Sequence, residues 1–344
     1  MYSLITPIIL AFILAWLFTG LIRRYAKQIK LVHQPNERSS HSKLTPHGGG
    51  LGIVFSCLFI SVWLLWQEHI EYSSFWGVIG LFLLVATVGL IDDMLHLAAG
   101  LRLSVHASVC LVLFLGLSRL PLPDTPNILI FPFWFTVTLI VFSGTWWINL
   151  FNFMDGIDGL AATQAIFMLG GASILSASYY ADASDTAVWL WMVCLASATA
   201  GFLIHNWAPA KIFMGDVGST FLAFMILFFA LMTLSLGWLN YQAWAILAAV
   251  FVTDSTVTLL RRITTGQNFL KAHRSHAYQI LSIRFRSHKR VTLLYIAVNI
   301  FWLFPFALLC SIYPLESWWW LTIAYTPLIV ITYALGAGKA ENIN

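Results

Sequence analysis

Carboxylates are scarce in apolar sequence, so the places where they recur are the first candidates for chemistry. Asp92 and Asp93 close one apolar stretch, Asp155 and Asp158 precede another, Asp216 precedes a third, and Asp254 lies inside a fourth. Carboxylates beside hydrocarbon are costly and are functional candidates by default. Several meeting at one depth suggest a cation between them. Asp92 and Asp93 fall at a helix carboxyl end, where the dipole disfavours anions. A solvated interfacial pair is the plain alternative, but a divalent cation or neighbouring Arg102 would offset the repulsion. In the segment from Asn149 through Asn152 and Asp155 to Asp158, polar side chains recur every third residue. On a helix they would share one face, which exceeds what a single N-cap requires. Gly156 and Gly159 permit a tight turn or a ligand's close approach.

A further element runs from Asn206 through Lys211 and Phe213 to Gly215-Asp216-Val-Gly218-Ser219. It sets an aspartate between glycines at a helix amino terminus, which suits phosphates or their metal; a simple N-cap competes. Asp254 sits between Thr253 and Ser255, whose hydroxyls could satisfy it. Two basic loops complete the inventory. Pro35-Asn-Glu-Arg38-Ser-Ser-His41 with Thr45-Pro-His47-Gly-Gly-Gly50 could bring backbone amides near an anion. Arg261-Arg262 and His273-Arg274-Ser-His276 have histidines at metal spacing, but Arg274 argues for phosphate recognition. Aspartates near helix termini, glycine loops and arginines together match a magnesium-dependent site for a diphosphate. A site at the membrane surface would admit a lipid-borne substrate.

The elements that must position these residues follow from composition. The 344 residues are 60% hydrophobic and 9% charged, against roughly 25% charged in soluble domains. A soluble protein is excluded, and continuous apolar runs rule out an alternating β-barrel. The expected fold is an all-α polytopic membrane protein in one integral-membrane domain, 1–344. Eleven apolar stretches lie near 3–22, 50–66, 75–91, 103–117, 128–147, 160–177, 188–204, 219–236, 242–260, 291–311 and 318–335, with ten spans also allowed. The first has no basic residue ahead of it, so it is a span and not a cleaved signal. With the amino terminus periplasmic and the carboxyl terminus cytoplasmic, 17 of the 18 basic residues lie inside, satisfying the positive-inside rule. The loops near 23–49, 92–102, 148–159, 205–218 and 261–290 would then form a site at the cytoplasmic face of a bacterial inner membrane. The net charge of +4 is explained by this topology and needs no nucleic-acid partner. Tryptophans at 146–147 and 318–320 suit interfaces. Cys57, Cys110, Cys194 and Cys310 have neither disulfide nor zinc spacing and read as small core residues.

The motifs resemble the polyprenyl-phosphate N-acetylhexosamine-1-phosphate transferases, whose relatives include the WecA-type enzymes and MraY. The matching blocks run in family order: PNERSSH with TPHGGG, GLIDD, NLFNFMDGIDGL, NWAPAKIFMGDVGS and HRSHAYQ. The resemblance implies transfer of a sugar-1-phosphate from a UDP-N-acetylhexosamine to undecaprenyl phosphate, with release of UMP. It implies Mg²⁺, with Mn²⁺ able to substitute, at Asp216, and a catalytic pair at Asp92 and Asp93. Asn152, Asp155, Asp158, Asn206 and Phe213 match the nucleotide pocket. Arg261, Arg262, His273, Arg274 and His276 are candidates for the phosphates or sugar; the two histidines fall in the family's histidine-bearing loop. Membrane lipid is the surrounding partner, and a homodimer is compatible. His33 and His47 depart from the family's frequent aspartate and arginine. HRSHAYQ resembles the O-antigen-initiating, WbpL-like branch, so the sugar is GlcNAc or a 6-deoxy-N-acetylhexosamine such as FucNAc or QuiNAc. The product would begin O-antigen, lipopolysaccharide or a related envelope glycan.

A lipid phosphate with a second pKa of about 6 is largely dianionic at neutral pH, so direct attack needs little base; an aspartyl-phosphate intermediate is the less favoured variant. An ion-coupled transporter would gather its carboxylates near mid-membrane. An intramembrane aspartyl protease built on Asp254 and Asp216 would leave the other aspartates unexplained.

Overall fold

The computed structural model describes residues 4–28, 31–33, 45–67, 72–116, 133–180, 182–267 and 273–340. The described residues are helical almost throughout: α1 (Ile5–Tyr25), α2 (Leu51–Trp66), α3 (Tyr72–Leu95), α4 (Ala99–Gly116), α5 (Phe133–Phe153), α6 (Leu160–Tyr179), α7 (Ala187–Asn206) and α8 (Asp216–Ser235). There follow α9 (Tyr241–Leu247), α10 (Ala249–Thr264), α11 (Ala277–Phe285), α12 (His288–Val298), α13 (Phe304–Ile312) and α14 (Ser317–Ala334). A two-residue antiparallel ladder joins β1 (Val32–His33) to β2 (Thr45–Pro46). The intervening PNERSSH segment lies outside the described residues.

Every one of the eleven expected stretches is helical where described. Among the described residues eight helices qualify by length and composition as membrane spans, or nine if the bent α9–α10 pair counts as one. The α12–α13 rod, joined through a π-helical turn at Asn299–Leu303, is among the eight. At 16 residues α2 is shorter. The outer helices expose large apolar side chains, including Ile5, Trp134, Phe142 and Phe301, as a surface in hydrocarbon requires. The chain is a multi-pass membrane protein. Its four cysteines are buried and unpaired, as their apolar settings suggested. One expectation changes: α5 runs on to Phe153, so Trp146 and Trp147 lie inside a helix instead of at its end. There Trp147 donates to the Ala223 carbonyl of α8 at 2.8 Å.

Two features fix the bundle around the polar end where α3, α5 and α7 finish and α4, α6 and α8 begin. First, α6 and α8 are the most enclosed spans, and glycines let other helices approach α8 closely. A β-carbon on Gly89 of α3 would lie 2.6 Å from the Asp216 carbonyl oxygen, and one on Gly50 would lie 2.2 Å from the α-carbon of Gly218. Small residues are how helices reach backbone contact in lipid, where water supplies no hydrophobic drive between them. Second, the 75° bend between α9 and α10 exposes peptide groups that lipid cannot satisfy. Gln164 donates to the Leu247 carbonyl at 2.9 Å and accepts from Asn299 at 2.7 Å, so three elements share one buried polar link.

Gly89→Ala forces α3 away from the start of α8. Overpacking of this kind costs about 1–3 kcal/mol, so the melting temperature in detergent should fall by several degrees. Gly77→Ala, on the same helix with open space around it, should leave it unchanged or raised; equal effects of the two would contradict this packing.

Candidate active site

The end of α3 meets the beginning of α8. Gly215 adopts a positive φ of 77°, which turns the chain so that α8 starts at Asp216. Asp93 then accepts from the first amides of α8: Asp216 N–H at 2.9 Å and Val217 N–H at 3.1 Å. His47 Nδ1 stands 3.6 Å from the same carboxylate. Asp93 thus caps α8 from another helix, and its repulsion by the α3 dipole is offset by the α8 dipole. Asp92, which is buried, accepts from Leu97 N–H at 2.7 Å and from Arg102 Nη1. The same Nη1 reaches Asp216 Oδ2 at 3.3 Å. Asp216 is the first residue of α8 and not its N-cap; its other oxygen accepts from Asn152 at 2.8 Å, and Asn152 also donates to Ser219. Asp92, Arg102, Asp216 and Asn152 therefore form one connected group, with Asp93 beneath it.

The expected shared face of Asn149, Asn152, Asp155 and Asp158 does not form. The α5 helix ends at Phe153, and Gly159 takes a positive φ of 74° before α6, so the aspartates lie in a turn. Asn149 points along α5 to the Thr145 carbonyl and His106. Asp155 is half-buried near the acidic group. Burial first, then repulsion from Asp216, Asp93 and Asp158, pushes its carboxyl well above the usual carboxylate range. Asp158 accepts from Ala210 N–H at 3.0 Å and faces His288 Nδ1 at 3.2 Å. Buried Asn206 accepts from Gly159 N–H and donates to the Ile212 carbonyl. Phe213 is held by its backbone, paired with Pro46 and Gly49. Asp158, Pro209, Arg274, Gln279, Arg286 and Lys289 help line an open cavity of 630 Å³. It has the size of a ligand pocket and shares the Asp155–Asp158 turn with the acidic group.

The HRSHAY loop is positioned by Asp254. That carboxylate is fully buried, and of the two readings the sequence allowed, satisfaction by Thr253 and Ser255 or a functional role, the first does not hold. It accepts from Ala277 N–H at 2.8 Å, Tyr278 N–H at 2.9 Å and the Tyr295 hydroxyl at 3.1 Å, with His276 Nδ1 at 3.4 Å. It is a structural anchor for the start of α11. The Tyr278 hydroxyl donates to the Phe153 carbonyl at 2.9 Å across Gly156, where a β-carbon would overlap it. His273 stacks on His276 at 5.0 Å. Arg261 is committed elsewhere: it donates to the Tyr333 and Ala337 carbonyls and lies over the Tyr333 ring. Arg262 is buried and donates to Gln267. These two therefore brace the carboxyl-terminal helix and loop, while Arg274 borders the cavity.

Among the described residues no three His, Cys, Asp or Glu side chains form a ready-made metal cage. Magnesium is usually held by one or two carboxylates together with substrate phosphates and waters. Two carboxylates sharing one cationic nitrogen are a donor set that fits it. Sequence reasoning missed Ser219 and His288 and gave Arg102 only a neutralising part. Arg102's position nine residues beyond Asp93, at the start of the next helix, was the available signal for its role.

Fold and site together define a multi-pass membrane protein with a polar, carboxylate-rich centre where its helices end. The family model for glycosyl transferase family 4 matches residues 75–234. A Bacillus subtilis protein named "Probable undecaprenyl-phosphate N-acetylglucosaminyl 1-phosphate transferase" is 28% identical over 84% of this chain and 80% of its own. A Mycobacterium leprae decaprenyl-phosphate N-acetylglucosaminephosphotransferase is 28% identical over 83% of this chain and 78% of its own. The undecaprenyl-phosphate alpha-N-acetylglucosaminyl 1-phosphate transferase of Escherichia coli K12 is 26% identical over 80% and 76%. Residues 75–234 thus resemble glycosyl transferase family 4, and the similar proteins are named as polyprenyl-phosphate N-acetylglucosamine-1-phosphate transferases.

His273 gives a pH prediction. Burial, then the charges of His276 and Arg262, lower its pKa from 6.5 to about 4. Between those values the unfolded chain binds a proton that the folded chain does not, so stability falls as pH drops through this window. His273→Gln should flatten the melting-temperature profile between pH 6.5 and 4; an unchanged slope would contradict the assigned environment.

Proposed function

We propose that this chain transfers an N-acetylhexosamine-1-phosphate from a UDP-sugar to undecaprenyl phosphate at the cytoplasmic face of a bacterial inner membrane. UMP leaves, and the lipid-linked diphosphate sugar begins O-antigen or a related envelope glycan. The observation that carries the reading is the meeting of Asp92 and Asp216, from different helices, on one guanidinium nitrogen. Relatives whose names give polyprenyl-phosphate N-acetylglucosamine-1-phosphate transfer support the reaction class.

The lipid phosphate oxygen attacks the sugar-proximal phosphorus of the UDP-sugar. The bond from that phosphorus to the bridging oxygen breaks, and its electron pair leaves with UMP. The acceptor is largely dianionic at neutral pH, so bringing two anions together is the harder requirement. Asp216 and Asp92 would hold Mg²⁺, which supplies charge neutralisation for phosphoryl transfer. Asn152 orients Asp216. Asp92, held by Leu97 and Arg102, is suited to positioning the acceptor. Asp93 acts through α8 as a positioning residue. The cavity beside Asp158 and Pro209 has room for the nucleoside, with Arg274 at its edge for the phosphates. The sugar is an N-acetylhexosamine, and HRSHAYQ favours a 6-deoxy one over the N-acetylglucosamine of the relatives' names. A transporter is disfavoured because the carboxylates gather at helix ends.

Purified protein given undecaprenyl phosphate and a panel of UDP-N-acetylhexosamines should release UMP with at least one sugar. Release should stop with chelator and return with Mg²⁺. Asp216→Asn and Asp92→Asn should each lose about 100-fold or more in turnover while keeping the folded elution profile. Near-normal turnover by either would remove it from the site, and no UMP with any sugar would overturn the reading.

A further inference from the structure

Arg102 stands between the two carboxylates assigned to the metal. A single nitrogen, Nη1, serves both Asp92 Oδ2 and Asp216 Oδ2. This is a shared contact, without the two parallel bonds of a bidentate arginine–carboxylate pair, which is the tighter arrangement. The side chain of Asp92 is 6% exposed, whereas those of Asp216 and Arg102 are 32% and 34% exposed. The guanidinium therefore has open space on one side and a buried anchor on the other. It comes from the first turns of α4, so the long side chain can swing while the helix stays in place.

We propose that Arg102 is a built-in stand-in for the divalent cation. It holds Asp92 and Asp216 together before metal binds, is displaced when metal takes the same oxygens, and then pairs with a substrate phosphate. The proposal rests on reading Asp92 and Asp216 as the metal site. Without a cation, two carboxylates from different helices at one point would repel, and the neighbouring Asp93 carboxylate adds to the negative field. The guanidinium offsets part of this. A metal contacting both Oδ2 atoms would occupy the place of Nη1. The released guanidinium has a planar fork that suits phosphate better than a point charge does. Metal alone must displace Arg102 without giving it a partner; metal arriving with a phosphate supplies one. The two ligands should therefore favour each other's binding, and by linkage the coupling is reciprocal.

Two measurements on the full-length protein in detergent test this. By electron paramagnetic resonance, Arg102→Gln should bind Mn²⁺ without nucleotide about tenfold more tightly than wild type. In wild type, phenylglyoxal labelling of Arg102, read by peptide mass spectrometry, should speed up when Mn²⁺ is added and slow again when UDP follows. Equal or weaker Mn²⁺ binding by the variant, or labelling that Mn²⁺ leaves unchanged or slows, would overturn the stand-in role while leaving the metal site in place. No Mn²⁺ uptake by wild type, with or without UDP, would instead overturn the metal-site reading on which the proposal rests.

Discussion

The contact between the carboxyl end of α3 and the amino end of α8 is the constraint on which the rest depends. Asp93 accepts from the first two amides of α8, where unpaired N–H groups and the helix dipole both favour an anion. Hydrogen bonds to a charged group are worth about 1.5–3 kcal/mol each, and these lie where few waters compete. Gly89, one turn back along α3, removes the side chain that would hold the helices apart. Once this joint is made, the neighbouring residues have little freedom. Asp92 turns toward α4 and Arg102, and Asp216 faces Asn152 from α5. Four helices reach one point because one carboxylate is spent on joining two of them.

The surrounding loops are held mainly through their backbones. Gly49 and Gly50 donate to the Phe213 and Met214 carbonyls, Asp158 accepts from Ala210, and Asn206 bridges Gly159 and Ile212. Tyr278 reaches the end of α5, and Asp254 fixes the turn carrying Tyr278. Such a frame keeps loops fixed while leaving Arg102, Asp216 and Asp155 partly open to a ligand. That combination suits phosphoryl transfer, in which positioning and charge neutralisation contribute more than covalent chemistry by the protein.

Much of this was legible in the residues. The helical membrane fold followed from the apolar runs, and Asp92, Asp93 and Asp216 were singled out because charge in such a setting needs a reason. Their division of labour was not legible. Nothing in Asp-Asp says which carboxylate caps a helix and which faces the centre; that depends on the azimuth at which α3 crosses α8. The repeat of polar groups from Asn149 to Asp158 suggested a continued helix, but α5 ends at Phe153 and the chain turns through Gly159 only where α6 begins. Thr253 and Ser255 looked like partners for Asp254 because they are adjacent in sequence, whereas its donors are the Thr258 hydroxyl one turn on and groups of α11 and α12. Arg261 read as a phosphate ligand by its charge, yet α14, far along the chain, claims it. For Asp254 and Arg261 the missing information was a long-range contact.

The most direct measurement is anomalous diffraction from crystals of the full chain grown with Mn²⁺ and UDP. The account predicts one manganese peak between the carboxylates of Asp92 and Asp216, with the nucleotide's phosphates beside it. A peak elsewhere, or one bound to either aspartate with the other turned away, would contradict it.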